Sequence, residues 1–287
     1  MIIPTYRSWD ALELCLDCLA RQDFDPARYE VIVVNNDPDD PVPDNLPRNA
    51  PLRVISEARP GSYAARNAGI RAARADVLFF TDADCRPHSD YLSTGWAVVE
   101  DHPDTFRFAG GIELVPQGDE WTPSELYDRI KSLDQARYAS QNRAATANVF
   151  MRRAAFEMVG LFDETRLSGG DMEWAERATT AGLALRFAPD VKVDHPARAS
   201  FEDNLTKARR LLGGRIAAAS GPGRLAFYLP PLRRLLPSVG IRRLMARESG
   251  ISVDKKRAVI AEHNRIRRAL IWEQLRLTWL RTEKERR

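Results

Sequence analysis

Cysteine is scarce in this chain. Three in 287 residues are too few for a disulfide framework, which agrees with a reducing compartment. Cys15-Leu16-Asp17-Cys18 is a lone CxxC on a predicted helix. With no second ligand pair to complete a metal site, two small apolar residues on a helix face are favoured over a redox or zinc pair. No run approaches the roughly 18 unbroken apolar residues of a membrane helix. A secretory signal is missing as well, since Met1-Ile2-Ile3-Pro4 has no basic start and no long apolar region behind it. A cytoplasmic setting is the default expectation. No internal repeat is visible. Aromatic residues do not interleave with the basic ones and no nucleic-acid motif occurs, so a nucleic-acid partner is not expected.

What is present is a soluble globular composition, 44% hydrophobic and 29% charged. It suits one large domain, or one domain with an appendage. The net charge of +3 hides an asymmetry. Residues 204–287 hold 21 Lys and Arg against 6 Asp and Glu, a net +15, which leaves −12 for residues 1–203. A basic tail on an acidic body points to an anionic partner for the tail. That partner is a membrane surface at the inner face, the acidic body itself, or a second copy in a homodimer.

Apolar runs of the kind buried on both faces of a parallel sheet occur at Ile2-Ile3, Val31–Val34, Leu52–Ile55 and Val77–Phe80. Helical spacing separates them: Leu12, Leu16 and Leu19 follow a predicted Ser8 cap, and Ala64, Ala65, Ala68 and Ala72 fall between Gly61 and Arg74. Strand alternating with helix predicts an open, mostly parallel α/β sheet, with ligands outside the carboxyl ends of its strands. Asn36, Asp37, Asp82 and Asp84 fall at such ends. Farther on, strands are predicted over 106–115, broken at Gly110-Gly111, and over 147–151. A helix is predicted over 171–181, then short extended segments at 185–188 and 191–193. Helices dominate after Phe201, and the last is predicted from Asp254 to Glu285.

Thr81-Asp82-Ala83-Asp84 directly follows a buried strand. Two carboxylates one residue apart at a strand end can grip a hard divalent cation, Mn²⁺ or Mg²⁺, and through it a diphosphate. An Asp-rich turn is the alternative reading.

In order along residues 1–200, the chain resembles the bacterial family 2 glycosyltransferases of GT-A fold. The resemblance is carried by Ile2-Ile3-Pro4-Thr5-Tyr6, by Glu30–Asp37, by Arg59–Gly69 with its Arg66-Asn67-x-Gly69, by Thr81–Asp84, by 147–153 with 159–164, and by Gly169-Gly170-Asp171-Met172-Glu173-Trp174. It implies a Rossmann-like α/β domain over 1–203, a mixed, mostly parallel sheet flanked by helices, with a basic helical extension over 204–287. It implies an inverting, metal-assisted transfer of a sugar from a nucleoside-diphosphate sugar to an acceptor hydroxyl, saccharide or lipid-linked, in cell-surface polysaccharide or glycolipid assembly. Pro4, Thr5, Tyr6, Asn36, Arg66, Asp82, Ala83 and Asp84 would form the donor side. Gly169, Gly170, Glu173 and Trp174 would form the acceptor side. Asp84, Asp82 and His195 would hold the metal, and Asp171 would be the base. Arg198, Lys207 and Arg210 would reach pyrophosphate, against the reading of a solvated basic face.

Two departures stand out. Asn36 aligns where many members have a base-binding Asp, and Gly170 replaces the Glu of the usual Glu-Asp pair. Asp171 also suits a helix start, Arg66 a solvated helix face, and His195 a structural position. A non-catalytic nucleotide-binding relative and a phosphohydrolase with Asp82 as nucleophile are the rival functions.

Overall fold

A computed structural model gives the structure of the chain and describes residues 1–47, 51–219, 226–228 and 234–279. The elements are β1 (Ile2–Thr5), α1 (Trp9–Ala20), β2 (Val31–Asn35), β3 (Leu52–Ser56), α2 (Ser62–Ala72), β4 (Val77–Thr81), β5 (Arg86–Pro87), α3 (Tyr91–Asp101), β6 (Arg107–Val115), α4 (Pro123–Lys131), α5 (Gln135–Ala139), β7 (Asn148–Arg152), α6 (Ala154–Val159), α7 (Gly170–Thr180), β8 (Leu185–Pro196), α8 (Phe201–Ala218), α9 (Val239–Arg247) and α10 (Val253–Trp279). They fall into two compact units, 1–115 with 133–196, and 116–132 with 197–287.

The first unit is built on an eight-stranded sheet of order β3-β2-β1-β4-β7-β6-β8-β5. β1 pairs in parallel with β2 and β4, β2 with β3, and β6 with β8. β7 is antiparallel to both β4 and β6, and β5 to β8. The sheet is therefore mixed, with most pairings parallel. β1 is short, and it runs through Pro4 to Thr5 rather than ending at the proline; it sits between two strands and is held on both edges.

The continuous apolar runs exist because both faces of the sheet are covered. Ile3, Val31, Val33, Phe79 and Phe150 pack against α1 and α3. Their neighbours Ile2, Ile32, Val34, Leu78 and Phe80 pack against α2, α6 and α7. Phe79, Phe150 and Phe108 stack across three strands with centroids 4.8 and 5.0 Å apart. Each such buried side chain contributes about 1.5–3 kcal/mol, whereas an exposed ion pair contributes about 0–1 kcal/mol. The core, not the surface charge, fixes the strand ends.

The predicted break at Gly110-Gly111 is a register shift within one continuous strand. A Cβ on Gly110 would lie 2.3 Å from the Asn148 amide nitrogen. That amide donates to Gly111 O and Val191 O at 2.7 and 2.8 Å, so the shift is tied to β7 and β8. The extended segments predicted at 185–188 and 191–193 form a single strand, β8. The Ser8 hydroxyl does not cap α1 but donates back to Tyr6 O.

In the second unit, Leu126, Leu205, Ile241, Met245, Val259 and Ile266 make a separate core. α4 begins with a capping box in which Thr122 and Glu125 satisfy each other's backbone amides. The final helix is described from Val253 to Trp279. The rest of its predicted extent, and residues 229–233 of the basic tail, lie outside the described residues.

Candidate active site

The end of β4 and the helices behind it assemble the site. Thr81 donates through Oγ1 to Ala147 O at 2.8 Å. Cys85 N closes a turn onto Asp82 O. Ala83 is buried in the core, so Asp82 and Asp84 diverge from a fixed turn. Each meets a different partner.

Asp84 faces His195, with Oδ1 3.6 Å from Nε2. Nδ1 of His195 lies 2.9 Å from Pro196 O. A carbonyl only accepts, so Nδ1 carries the hydrogen, and in the neutral ring Nε2 is left as a lone pair. Two electron-pair donors then face each other without a hydrogen between them. Two ligand atoms about 2.1 Å from one hard cation lie at most about 4 Å apart, so the separation fits a shared ion. Cys85 completes a cluster whose ligand atoms fall within 4.8 Å of one another, although burial drives its thiol well above its ordinary value. The carboxylate suits Mn²⁺ or Mg²⁺, and the imidazole nitrogen favours Mn²⁺ of the two.

Asp82 pairs with Arg66 instead. The Arg66 side chain is buried, and its Nε has no partner among the described residues. Thr5 Oγ1 is likewise buried and unsatisfied. Such atoms suit a polar ligand, because leaving them unpaired costs about 1–3 kcal/mol each. Arg7, in the first turn after β1, sits at φ 50, and its Nε donates to Asp37 at 2.6 Å. Tyr6 beside it is exposed, with the Arg7 guanidinium 5.5 Å from its ring centroid. Pro4 lies within β1 opposite Val34.

The sequence pattern 66–69 acquires a reason at each position. Asn67 is buried, exchanging hydrogen bonds with Phe162 N and O. Gly69 lets α2 close on β1, since a Cβ there would lie 2.4 Å from Ile2 Cγ2. Asn36 braces the neighbouring loop. Its amide donates to Glu57 O and Arg59 O at 2.8 and 2.7 Å and accepts from Gly61 N. Both of its amide hydrogens are therefore engaged within the protein.

Asp171 lies in the first turn of α7. The cap position belongs to Gly169, at φ 75. Asp171 Oδ1 accepts from Tyr63 Oη at 3.0 Å and from Met172 N at 2.9 Å. Part of its surface stays open, but it lines a small, largely apolar pocket with Phe162, Trp174 and Val149. That desolvation holds its carboxyl above the usual carboxylate value, against the opposing pull of Tyr63 and Arg66. Burial raises the Tyr63 hydroxyl too, so it stays protonated and donates. The Arg66 guanidinium lies 5.7 Å from the Tyr63 ring centroid. Asp171, Tyr63, Arg66 and Asp82 thus form one connected chain.

The same tyrosine accounts for Gly170. A Cβ there would meet the Tyr63 ring at 2.8 Å. Gly170→Glu, which restores the acidic pair, is expected to destabilise the fold by overpacking, about 1–3 kcal/mol, read as a lower melting temperature. Adding Tyr63→Ala should recover part of the loss.

Glu173 pairs with Arg177 at 2.7 Å, and Arg177 donates to Val159 O and Leu161 O. Trp174 is buried and donates to Gly160 O. Both brace the 159–162 turn. In the second unit, Arg198 and Lys207 converge on the buried carboxylate of Asp128, at 3.1 and 3.3 Å, and burial brings the Lys207 amine down to about 8. Tyr63 is the functional candidate that the pattern did not reveal, because on an alanine-rich helix it looks like a core aromatic.

The chain is similar to known proteins in sequence and in fold. The sequence model of glycosyl transferase family 2 matches residues 1–160. Glycosyltransferase AglE of Haloferax volcanii is 34% identical over 233 residues, covering 75% of this chain and 72% of that protein. The structure is similar to mannosyltransferase PcManGT from Pyrobaculum calidifontis, solved with GDP-Man and Mn²⁺. The TM-score is 0.58 at 20% identity, covering 98% of this chain and 87% of that one. It is also similar to S. aureus TarS bound to UDP-GlcNAc, with a TM-score of 0.53 at 16% identity over 94% and 90% of the two chains. At these identities the structural likenesses establish the GT-A fold.

Proposed function

The chain belongs to glycosyl transferase family 2, and from that membership we propose an inverting transfer of a sugar from a nucleoside-diphosphate sugar to an acceptor hydroxyl, with Asp171 as the base. The observation that supports this most is the connected chain from Asp171 through Tyr63 and Arg66 to Asp82, beside an Asp84–His195 pair spaced for a cation.

Asp84 and His195 would hold Mn²⁺ or Mg²⁺, which supplies positive charge against the departing diphosphate when bound. Asp82 would act through Arg66, positioning the guanidinium for the phosphates. Thr5, Tyr6 and the Arg7–Asp37 pair border the strand ends where the nucleoside would lie. Both hydrogen bonds to Asp171 fall on Oδ1, which leaves Oδ2 for the acceptor. As the acceptor oxygen bonds to the anomeric carbon, the carbon–phosphate oxygen bond breaks and its electron pair leaves with the diphosphate. The acceptor proton passes to Asp171. Tyr63 holds the carboxylate in one orientation, and the apolar cavity keeps it poorly solvated and therefore basic. A saccharide or lipid-linked acceptor in envelope polysaccharide or glycolipid assembly rests on family likeness.

The test is a thermal-shift series with nucleoside diphosphates and their sugars, with and without Mn²⁺. Bound ligand stabilises by mass action, about 2.7 kcal/mol at a hundredfold excess over Kd. Stabilisation by one nucleotide that requires the cation is expected. No shift with any nucleotide would contradict the donor assignment, and binding without turnover would support the non-catalytic rival.

A further inference from the structure

α10 carries an exposed stripe of arginine and tryptophan. At 100° per residue, Arg265, Arg268, Trp272 and Trp279 project within about 60° of one another, over a length of about 21 Å. All four are exposed, Trp272 at 78% and Trp279 at 64%. Trp279 packs edge-on against Tyr228, with centroids 5.6 Å apart, and its Nε1 donates to Tyr228 O at 3.3 Å. The stripe therefore has an ordered aromatic end and a basic end.

Its surroundings carry the same charge. Between Lys255 and Trp279 the acids are Glu262 and Glu273, and both are buried. Glu262 accepts from Ser124 and Asn204, and Glu273 from Arg276. α9 exposes Arg242, Arg243 and Arg247 beside Val239 and Leu244. Residues 204–247 contain ten Lys and Arg and no acid.

We propose that this surface docks on an anionic lipid bilayer. Tryptophan has an apolar body and a polar N–H, and it collects at the headgroup level, where both are satisfied. Arginine on the same stripe answers the phosphates of anionic lipid, each basic side chain near such a surface adding about fivefold to partition. A second copy of this chain is the poorer occupant. A two-fold pairing would set arginine against arginine, with no exposed acid on the stripe from Lys255 to Trp279 to compensate. No described helix is long and apolar enough to cross a membrane. The contact is with the surface, the helix lying along it.

The test is flotation of the full chain with vesicles of phosphatidylcholine alone and of phosphatidylcholine with phosphatidylglycerol, at low and high salt. Binding to the phosphatidylglycerol vesicles is expected, weakened about tenfold or more by high salt or by neutral lipid. The double variant Trp272→Ser, Trp279→Ser should lose about tenfold. A second variant, Arg268→Glu, should lose binding on anionic vesicles alone. Circular dichroism melting of each variant separates lost docking from lost folding. The proposal is overturned by equal binding to both vesicles, by no binding, or by unchanged binding of both folded variants. It is also overturned by a dimer in light scattering that the tryptophan substitutions dissociate.

Discussion

Asp171→Asn is expected to reduce sugar transfer by about 10²–10⁴-fold, the usual contribution of a positioned general base, while nucleotide binding stays near wild type. Asparagine is nearly isosteric, and its carbonyl can still accept from Tyr63 and Met172, so the local hydrogen bonds survive. What disappears is the acceptor for the hydroxyl proton. A single-turnover rate, with nucleotide affinity measured alongside, checks this. Unchanged transfer by a folded Asp171→Asn protein would place the base elsewhere.

The same substitution carries a stability signature of defined sign. Burial raises the Asp171 carboxyl in the native state. Between the ordinary carboxylate value and that raised value, the native state retains a proton that the unfolded chain has lost. Stability then falls as pH rises through this window. The Asn variant lacks the effect, so it should melt above the wild type at neutral pH and lose that advantage in acid. A variant that melts lower at neutral pH would show that the carboxylate stabilises the fold. Catalytic rate should follow the opposite course in the wild type, falling as the pH drops through the raised value.

Asp84→Ala is expected to reduce turnover by about 10²-fold or more, the scale set by removing one preorganised electrostatic contact to a developing charge. His195→Ala should weaken cation binding in parallel, since Nε2 is the second donor of the pair. The readout that isolates the cation is the Mn²⁺ concentration needed to raise the melting temperature in the presence of nucleotide. Both variants should need much more. Asp82→Asn should behave differently, because Asp82 is engaged with Arg66; its main defect should be nucleotide affinity. Identical cation responses in the Asp84→Ala variant and the wild type would remove Asp84 from the metal site.

Much of the fold and the polar skeleton of the site were legible in the chain. Continuous apolar runs at 31–34 and 77–80 marked strands buried on both faces, and the acid pair behind the second marked the cleft. Patterns named residues without their reasons. Asn67 and Gly69 have their roles only through Phe162 and Ile2, which lie far away in sequence. The 185–196 strand looked like two pieces because Pro189 and Asp190 interrupt its alternation. Pairing with β6 through the Gly110/Gly111 shift makes it continuous. The link between Tyr63 and Asp171 spans 108 positions, and no local signal marks it. It also accounts for Gly170, since the tyrosine ring occupies the space that a side chain there would need. Asn36 looked like a base reader from its place after β2, but its amide hydrogens go to the backbone of 57 and 59.

The most direct measurement is the anomeric configuration of the transferred sugar, followed by NMR from the first turnovers with an α-linked or β-linked donor of known configuration. A single base at Asp171, with direct displacement of the diphosphate, gives a product opposite in configuration to the donor. A product that keeps the donor's configuration would contradict it.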